Sequence, residues 1–218
     1  MTSPFVTGAT RAGSPPPVAF KSAVPVGTSG TWRLEHFEVP APHPDGLEVR
    51  PWWARDPAGI YTRLVDGNEV YMSDLYVELY TQAPAIDEAR ARGGRILITG
   101  LGMGLVIEAM LADGPAGPPI EQIVVVEYSA DVVALVAPYL EKKYGDRVVV
   151  LLGDARTWTP KPGERFTVGW HDIWADPWLP LAAEESEQMI AHHAPWCDWQ
   201  GSWSTTFVDE ATSAKACA

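Results

Sequence analysis

Four short stretches of the chain carry residue types whose spacing suits chemistry on a nucleoside. Gly100-Leu101-Gly102-Met103-Gly104 follows the apolar run Ile96 to Thr99 and opens a helical pattern, so its glycines permit a tight turn and close approach of backbone to a ligand. Glu127 ends the next apolar run, Ile123 to Glu127, where a carboxylate can accept from both hydroxyls of a ribose. Asp154, in Gly153-Asp154-Ala155-Arg156, comes just after the run Val148 to Leu152, where it can accept from an adenine amino group. His171 and Asp172 follow the run Phe166 to Trp170. They are the candidates for holding an acceptor or removing its proton, His171 because an imidazole titrates near neutrality. A GxG turn alone is a weak signal, and each acid by itself could be a solvated loop residue. Their recurrence at the ends of successive strands gives the set its weight.

Those strands must lie side by side for the residues to meet. Ile-Val-Val-Val and Val-Val-Val-Leu-Leu show no in-out alternation, as expected of strands covered on both faces. Helical patterns fall between them, over Gly104 to Ala112 and Asp131 to Tyr144, and a further one over Glu184 to His193. The economical fold class is α/β, a Rossmann-like, doubly wound, mostly parallel sheet, with a late edge strand expected over Ser202 to Val208.

Upstream, residues 1–30 are rich in Pro, Gly, Ser and Thr and read as a flexible arm. Residues 31–92 read as a small antiparallel β unit with a linking helix. Its runs are Trp32 to Val39, Leu47 to Trp53, Ile60 to Val65 and Val70 to Met72. Asp66-Gly67-Asn68 marks a tight hairpin in which Gly67 or Asn68 takes positive φ. The helix spans Leu75 to Arg92, with Pro84 kinking or restarting it. Residues 93–209 then form the Rossmann-like domain and 210–218 a flexible tail.

With 46% hydrophobic and 20% charged residues in 218, the composition is that of a globular protein. A net charge of -12 opposes the broad basic face that nucleic acid or an anionic membrane requires. No apolar run approaches the roughly 20 residues of a membrane span, and the N-terminus lacks a secretory pattern, so the expected location is the cytoplasm. Cys197 and Cys217 have no zinc-like spacing, and the adjacent His192 and His193 point in different directions on a helix, so no metal is expected. Trp170, Trp174, Trp178, Trp196, Trp199 and Trp203 concentrate indole in the C-terminal third, as core packing or as the wall of an apolar acceptor pocket.

Over roughly residues 94–176 these features resemble the S-adenosylmethionine (SAM) binding pattern of class I methyltransferases. The resemblance implies that Gly100, Gly102, Met103 and Gly104 surround the methionine part of SAM, with free N–H groups at the helix start meeting its carboxylate. It implies Glu127 and Tyr128 at the ribose and Asp154 and Ala155 at the adenine. Over about residues 60–177 the chain also resembles the spermidine synthase branch: the segment Thr62 to Val70 falls at that family's hairpin and Tyr76-Val77-Glu78 at its Tyr-His-Glu segment. Tyr76, Glu78 and Asp176 are thereby implied around an acceptor pocket, beside Asp172, and Trp174 joins them as a candidate because it follows Asp172 on the same loop.

The departures bear on activity. Met103 stands where aminopropyltransferases usually have aspartate, which favours ordinary over decarboxylated SAM. Val77 replaces the family's histidine, and Asp172-Ile173-Trp174-Ala175-Asp176-Pro177 is one residue longer than its Asp-x-x-Asp-Pro. The segments His171 to Trp174 and Asp198 to Trp203 are similar to ones in uncharacterised methyltransferase-like proteins, some phage-encoded. The expected function is SAM-dependent methyl transfer to a small molecule. Aminopropyl transfer, SAM binding without catalysis, and NAD binding, which an acid after the second strand also suits, remain as alternatives. Nucleic-acid methylation is disfavoured by the acidic charge and the lack of an Asn/Asp-Pro-Pro-aromatic motif. A homodimer is implied by the family and by exposed strand edges.

Overall fold

The computed structural model describes residues 21–41, 56–112, 117–175 and 182–204. The apolar runs form a five-stranded sheet of β5 (Gly94–Thr99), β6 (Ile120–Glu127), β7 (Val148–Leu152), β8 (Phe166–His171) and β9 (Cys197–Ser202), ordered β7-β6-β5-β8-β9. Every neighbouring pair is parallel. Ile96, Leu97 and Ile98 of the central strand are fully buried, as a strand covered on both faces demands. Ile96, Ile98, Ile123 and Val125 pack on one side with α2 (Ala83–Arg92), α3 (Leu105–Leu111) and α4 (Ala130–Tyr144). Leu97, Val124, Val126 and Phe166 pack on the other side with Met189 of α5 (Ala182–His193). The chain turns one way from β5 to β6 and the other way from β5 to β8. The crevice that this reversal opens lies at the carboxyl ends of the strands, where open α/β sheets take their ligands. This is a Rossmann-like, doubly wound α/β fold.

The late edge strand is displaced from its expected place. β9 covers Cys197–Ser202, and of the expected Ser202 to Val208 the residues from 205 onward lie outside those described. Its sequence, Cys-Asp-Trp-Gln-Gly-Ser, has no apolar run, and among the described residues it stands at the edge of the sheet, paired only with β8.

The N-terminal unit is a separate antiparallel sheet, β1 (Gly27–Ser29), β2 (Trp32–Val39), β3 (Gly59–Asp66) and β4 (Glu69–Ser73), in that order. β1 corrects the reading of residues 21–30 as part of a free arm: it pairs with β2, and Ser29 Oγ donates to Asp131 Oδ1 at 2.7 Å, fastening the small sheet to the start of α4. The expected strand Leu47 to Trp53 lies outside the described residues. In the hairpin it is Gly67, with φ of 57°, that takes the left-handed conformation, and not Asn68. The linking helix is broken as Pro84 foretold, into α1 (Tyr76–Thr81) and α2, with Gln82 between them. Pro84 sits in the first turn of α2, where a missing N–H costs no hydrogen bond.

One charged group is sealed between α3 and α4. Glu108 is 1% exposed and accepts from Tyr139 Oη at 2.9 Å and from Lys143 Nζ. The bond to Glu108, then that to Tyr139, raises the Lys143 ammonium above its ordinary pKa. Among the described residues no helix is long and apolar enough to cross a membrane.

Candidate functional site

A cleft of about 420 Å³ opens at the carboxyl ends of β5, β6, β7 and β8, and the N-terminal sheet closes it with Trp32, Tyr71 and Met72. At its centre is the glycine loop. Gly100 N–H donates to Val126 O at 2.9 Å, and a Cβ on Gly100 would lie 1.8 Å from the carbonyl oxygen of Asp172. With φ of 92° as well, the position admits only glycine. What comes close to this glycine is therefore the protein's own backbone.

Glu127 organises the loop. Its carboxylate accepts from Leu101 N–H and from Ser129 N–H, each at 2.7 Å, which uses two of its roughly four acceptor sites. Gly100, Gly102 and Glu127 line the cleft, as do Tyr128, Asp154 and Ala155. Asp154 Oδ1 accepts from the backbone N–H of Arg156 at 3.0 Å.

Two expected cofactor residues sit elsewhere. Met103 is fully buried, packed in the core below the loop, and Gly104 packs against Leu140. Neither lines the cleft. Just before α3, Met103 N–H donates to Met72 Sδ at 3.3 Å and Gly104 N–H to Leu101 O at 2.9 Å. The hairpin thus inserts a thioether at the turn.

The acceptor end holds two carboxyl groups. Asp172, at the end of β8, and Glu78, on α1, reach into the same enclosed part of the cleft. Withdrawal from bulk water pushes both upward: Asp172 to about 7, and Glu78 to about 8, with the charge of Asp172 as a second cause. Glu78 accepts from Ser73 N–H at 3.2 Å. Asp172 accepts from Gln82 Nε2 at 2.6 Å. No sequence signal marks Gln82, which reads as one more polar helix residue. Trp174 and Trp203 line this end, and Trp174 Nε1 donates to Glu185 Oε2 at 2.6 Å.

Two expected residues do not join them. His171 is fully buried on the opposite face from the cleft, its Nδ1 3.0 Å from Thr99 Oγ1 and its Nε2 2.9 Å from Gln200 Oε1, and its ring stacks on His193. Gln200 Nε2 donates to Ile190 O, so Gln200 presents its oxygen and His171 carries its proton on Nε2. Burial drives this imidazole down to about 3. With both nitrogens engaged and no place in the cleft's lining, His171 is a structural group and not a base. Tyr76 does not line the cleft either: its N–H donates to Asp56 Oδ1 and its ring lies against Tyr80. Asp176 lies outside the described residues.

The carboxyl pair makes stability depend on pH. Folded Asp172 and Glu78 hold protons that the unfolded chain releases near its ordinary values of 3.8 and 4.5, so their effect is a stability that falls as pH rises toward 8. His171 and His193, lowered to about 3 and 4 mainly by burial, act oppositely and remove stability as pH falls below 6.5. Glu78→Gln is therefore expected to exceed the wild type by on the order of 2 kcal/mol at pH 8.5 and to match it at pH 4. Urea unfolding at the two pH values checks this, and an equal difference at both would contradict it.

No protein-family model matches the sequence, and no curated protein is similar to it. Among solved structures, the YcgJ protein of Bacillus subtilis is 20% identical over 42% of this chain and 37% of its own, with a TM-score of 0.34. The cyclase SpnF is 23% identical over 53% and 40%, with a TM-score of 0.38. A dimethyladenosine transferase from Plasmodium falciparum is 14% identical over 52% and 38%, with a TM-score of 0.37. The chain thus spans well under two thirds of the length of each of these structures.

Proposed function

We propose that the chain binds SAM in this cleft and transfers a methyl group to a small-molecule acceptor. The observation that carries the reading is the charge pattern of the lining. Glu78, Glu127, Asp154 and Asp172 all border the cleft. Such a lining suits a ligand that carries a cation and offers hydroxyl and amino donors.

Bound there, the cofactor supplies an electrophilic methyl group on a sulfonium. Glu127 has acceptor sites left for ribose hydroxyls, and Asp154 stands where an adenine amino group can donate. Asp172 holds the acceptor and takes its proton as the new bond forms. Trp174, Trp203, Trp32 and Tyr71 give the acceptor end aromatic walls that exclude water around the transfer.

The N-terminal sheet and the placement of Glu78 beside Asp172 favour a second reading, aminopropyl transfer in the manner of the spermidine synthases. Calorimetric titration with SAM, S-adenosylhomocysteine, decarboxylated SAM and NAD separates the two. The expected outcome is binding of SAM and its product, weakened roughly 10-fold by Asp154→Ala. Preference for decarboxylated SAM would support the second reading, and a cleft that takes no adenosyl ligand would end both.

A further inference from the structure

We propose that Gln82 is a positioning residue: held by Trp170, it donates to Asp172 and so keeps the negative charge of the Glu78–Asp172 pair on Asp172, leaving the proton on Glu78. The proposal rests on the reading above only in taking Asp172 as the proton acceptor. The hydrogen bonds themselves belong to the protein alone.

The geometry leaves little freedom. Gln82 is 1% exposed, at the break between α1 and α2, and Trp170 is fully buried on β8. Indole Nε1–H only donates, so the atom of Gln82 that faces it must be the carbonyl oxygen. The amide nitrogen is then turned to Asp172 Oδ2 at 2.6 Å, and it only donates. That oxygen of Asp172 consequently accepts. Glu78 is held less closely, by Ser73 N–H at 3.2 Å and Ser73 Oγ at 3.5 Å. Hydrogen bonds shorten when one partner is charged, and the shorter bond at Asp172 is the arrangement that favours placing the charge there.

The other ionisable groups around the pair do not supply this bias. Tyr71 of β4, Glu127 and Tyr128 at the end of β6, and Asp154 and Arg156 beyond β7 line the cleft, and His171 is buried and neutral behind it. Arg156 is paired with Asp154 and Glu185. A neutral amide also has a chemical advantage over a cation at this position. It orients the carboxylate and lowers its basicity less than a cation would, while the protonated Glu78 keeps an O–H for the acceptor.

The test is carbon NMR of side-chain carboxyls, in protein labelled at Asp and Glu and titrated from about pH 5 to pH 9, with Asp172→Asn and Glu78→Gln for assignment. In the wild type Asp172 is expected to lose its proton before Glu78. Gln82→Met, which keeps the length of the side chain and removes the amide, is expected to raise the Asp172 midpoint by about 1 pH unit. Trp170→Phe, which frees the amide without removing it, is expected to move the midpoint in the same direction by less, and stands in if Gln82→Met fails to fold. An Asp172 midpoint unmoved in the folded variants, or Glu78 ionising first in the wild type, would overturn the proposal. No ligand enters this experiment, so its failure is distinct from failure of the SAM titration.

Discussion

Gly100→Ala is expected to leave almost no folded protein. The added methyl carbon would sit 1.8 Å from Asp172 O, inside covalent overlap. Both partners are backbone, held by the bond from Asp172 N–H to Thr99 O at 2.9 Å and by the pairing of β5 with β8. Relief therefore requires separating the two central strands at the mouth of the cleft. A loss above about 4 kcal/mol follows, in the range reached only by severe overpacking or strain. Gly67→Ala isolates the backbone contribution: its φ is 57°, but nothing lies within 4 Å of the new carbon, so it is expected to lose only about 1 kcal/mol. Soluble yield and thermal unfolding of the two variants check the contrast. A Gly100→Ala protein that melts like Gly67→Ala would mean that the close approach to Asp172 is not rigid.

The second large effect is expected from Lys143→Met. It removes the ammonium that faces the buried Glu108 carboxylate, leaving Tyr139 and Tyr144 as its donors and Glu108 Oε2 without any. Isolating a buried charge costs about 3–5 kcal/mol, and the low end applies because the Lys143 side chain is 43% exposed and its loss admits water. The wild-type contribution is fully present below the ordinary lysine value of 10.5 and is lost as pH climbs through the raised folded value. The double variant Glu108→Leu with Lys143→Met is expected to recover most of the loss, since it abolishes the charge along with its partner. Urea unfolding at pH 7 measures all three proteins. If Lys143→Met alone cost less than about 1 kcal/mol, the ammonium would not be what holds Glu108 in place, and the two tyrosines and entering water would suffice.

How far these features were legible differs element by element. β5, β6, β7 and β8 stood out because strands buried on both faces need unbroken apolar runs, and the turns after them carried Gly100, Glu127, Asp154 and Asp172 to one edge. β1 and β9 did not stand out. Among the described residues Gly-Thr-Ser and Cys-Asp-Trp-Gln-Gly-Ser are edge strands, and an edge asks little of side-chain pattern. His171 was misjudged because adjacent strand residues face opposite ways, and nothing in the order Trp-His-Asp says which of them faces the cleft. Met103 failed for a related reason, its backbone lying in the loop while its side chain entered the core. Gln82 was invisible because its role comes from Trp170 and Asp172, which reach it from 88 and 90 positions away.

The strand order also fixes when the sheet can be finished during synthesis. β5 is the first strand of the large sheet to be made and the middle one in space, and its second neighbour β8 joins it across 72 positions, as Thr99 to His171. A nascent chain that ends before β8 can pair β5 only with β6, which leaves Ile96, Leu97 and Ile98 along a bare, apolar edge. Such an edge pairs readily with a second nascent chain. The interval between translation of β5 and of β8 is therefore the period in which this protein is most exposed to aggregation.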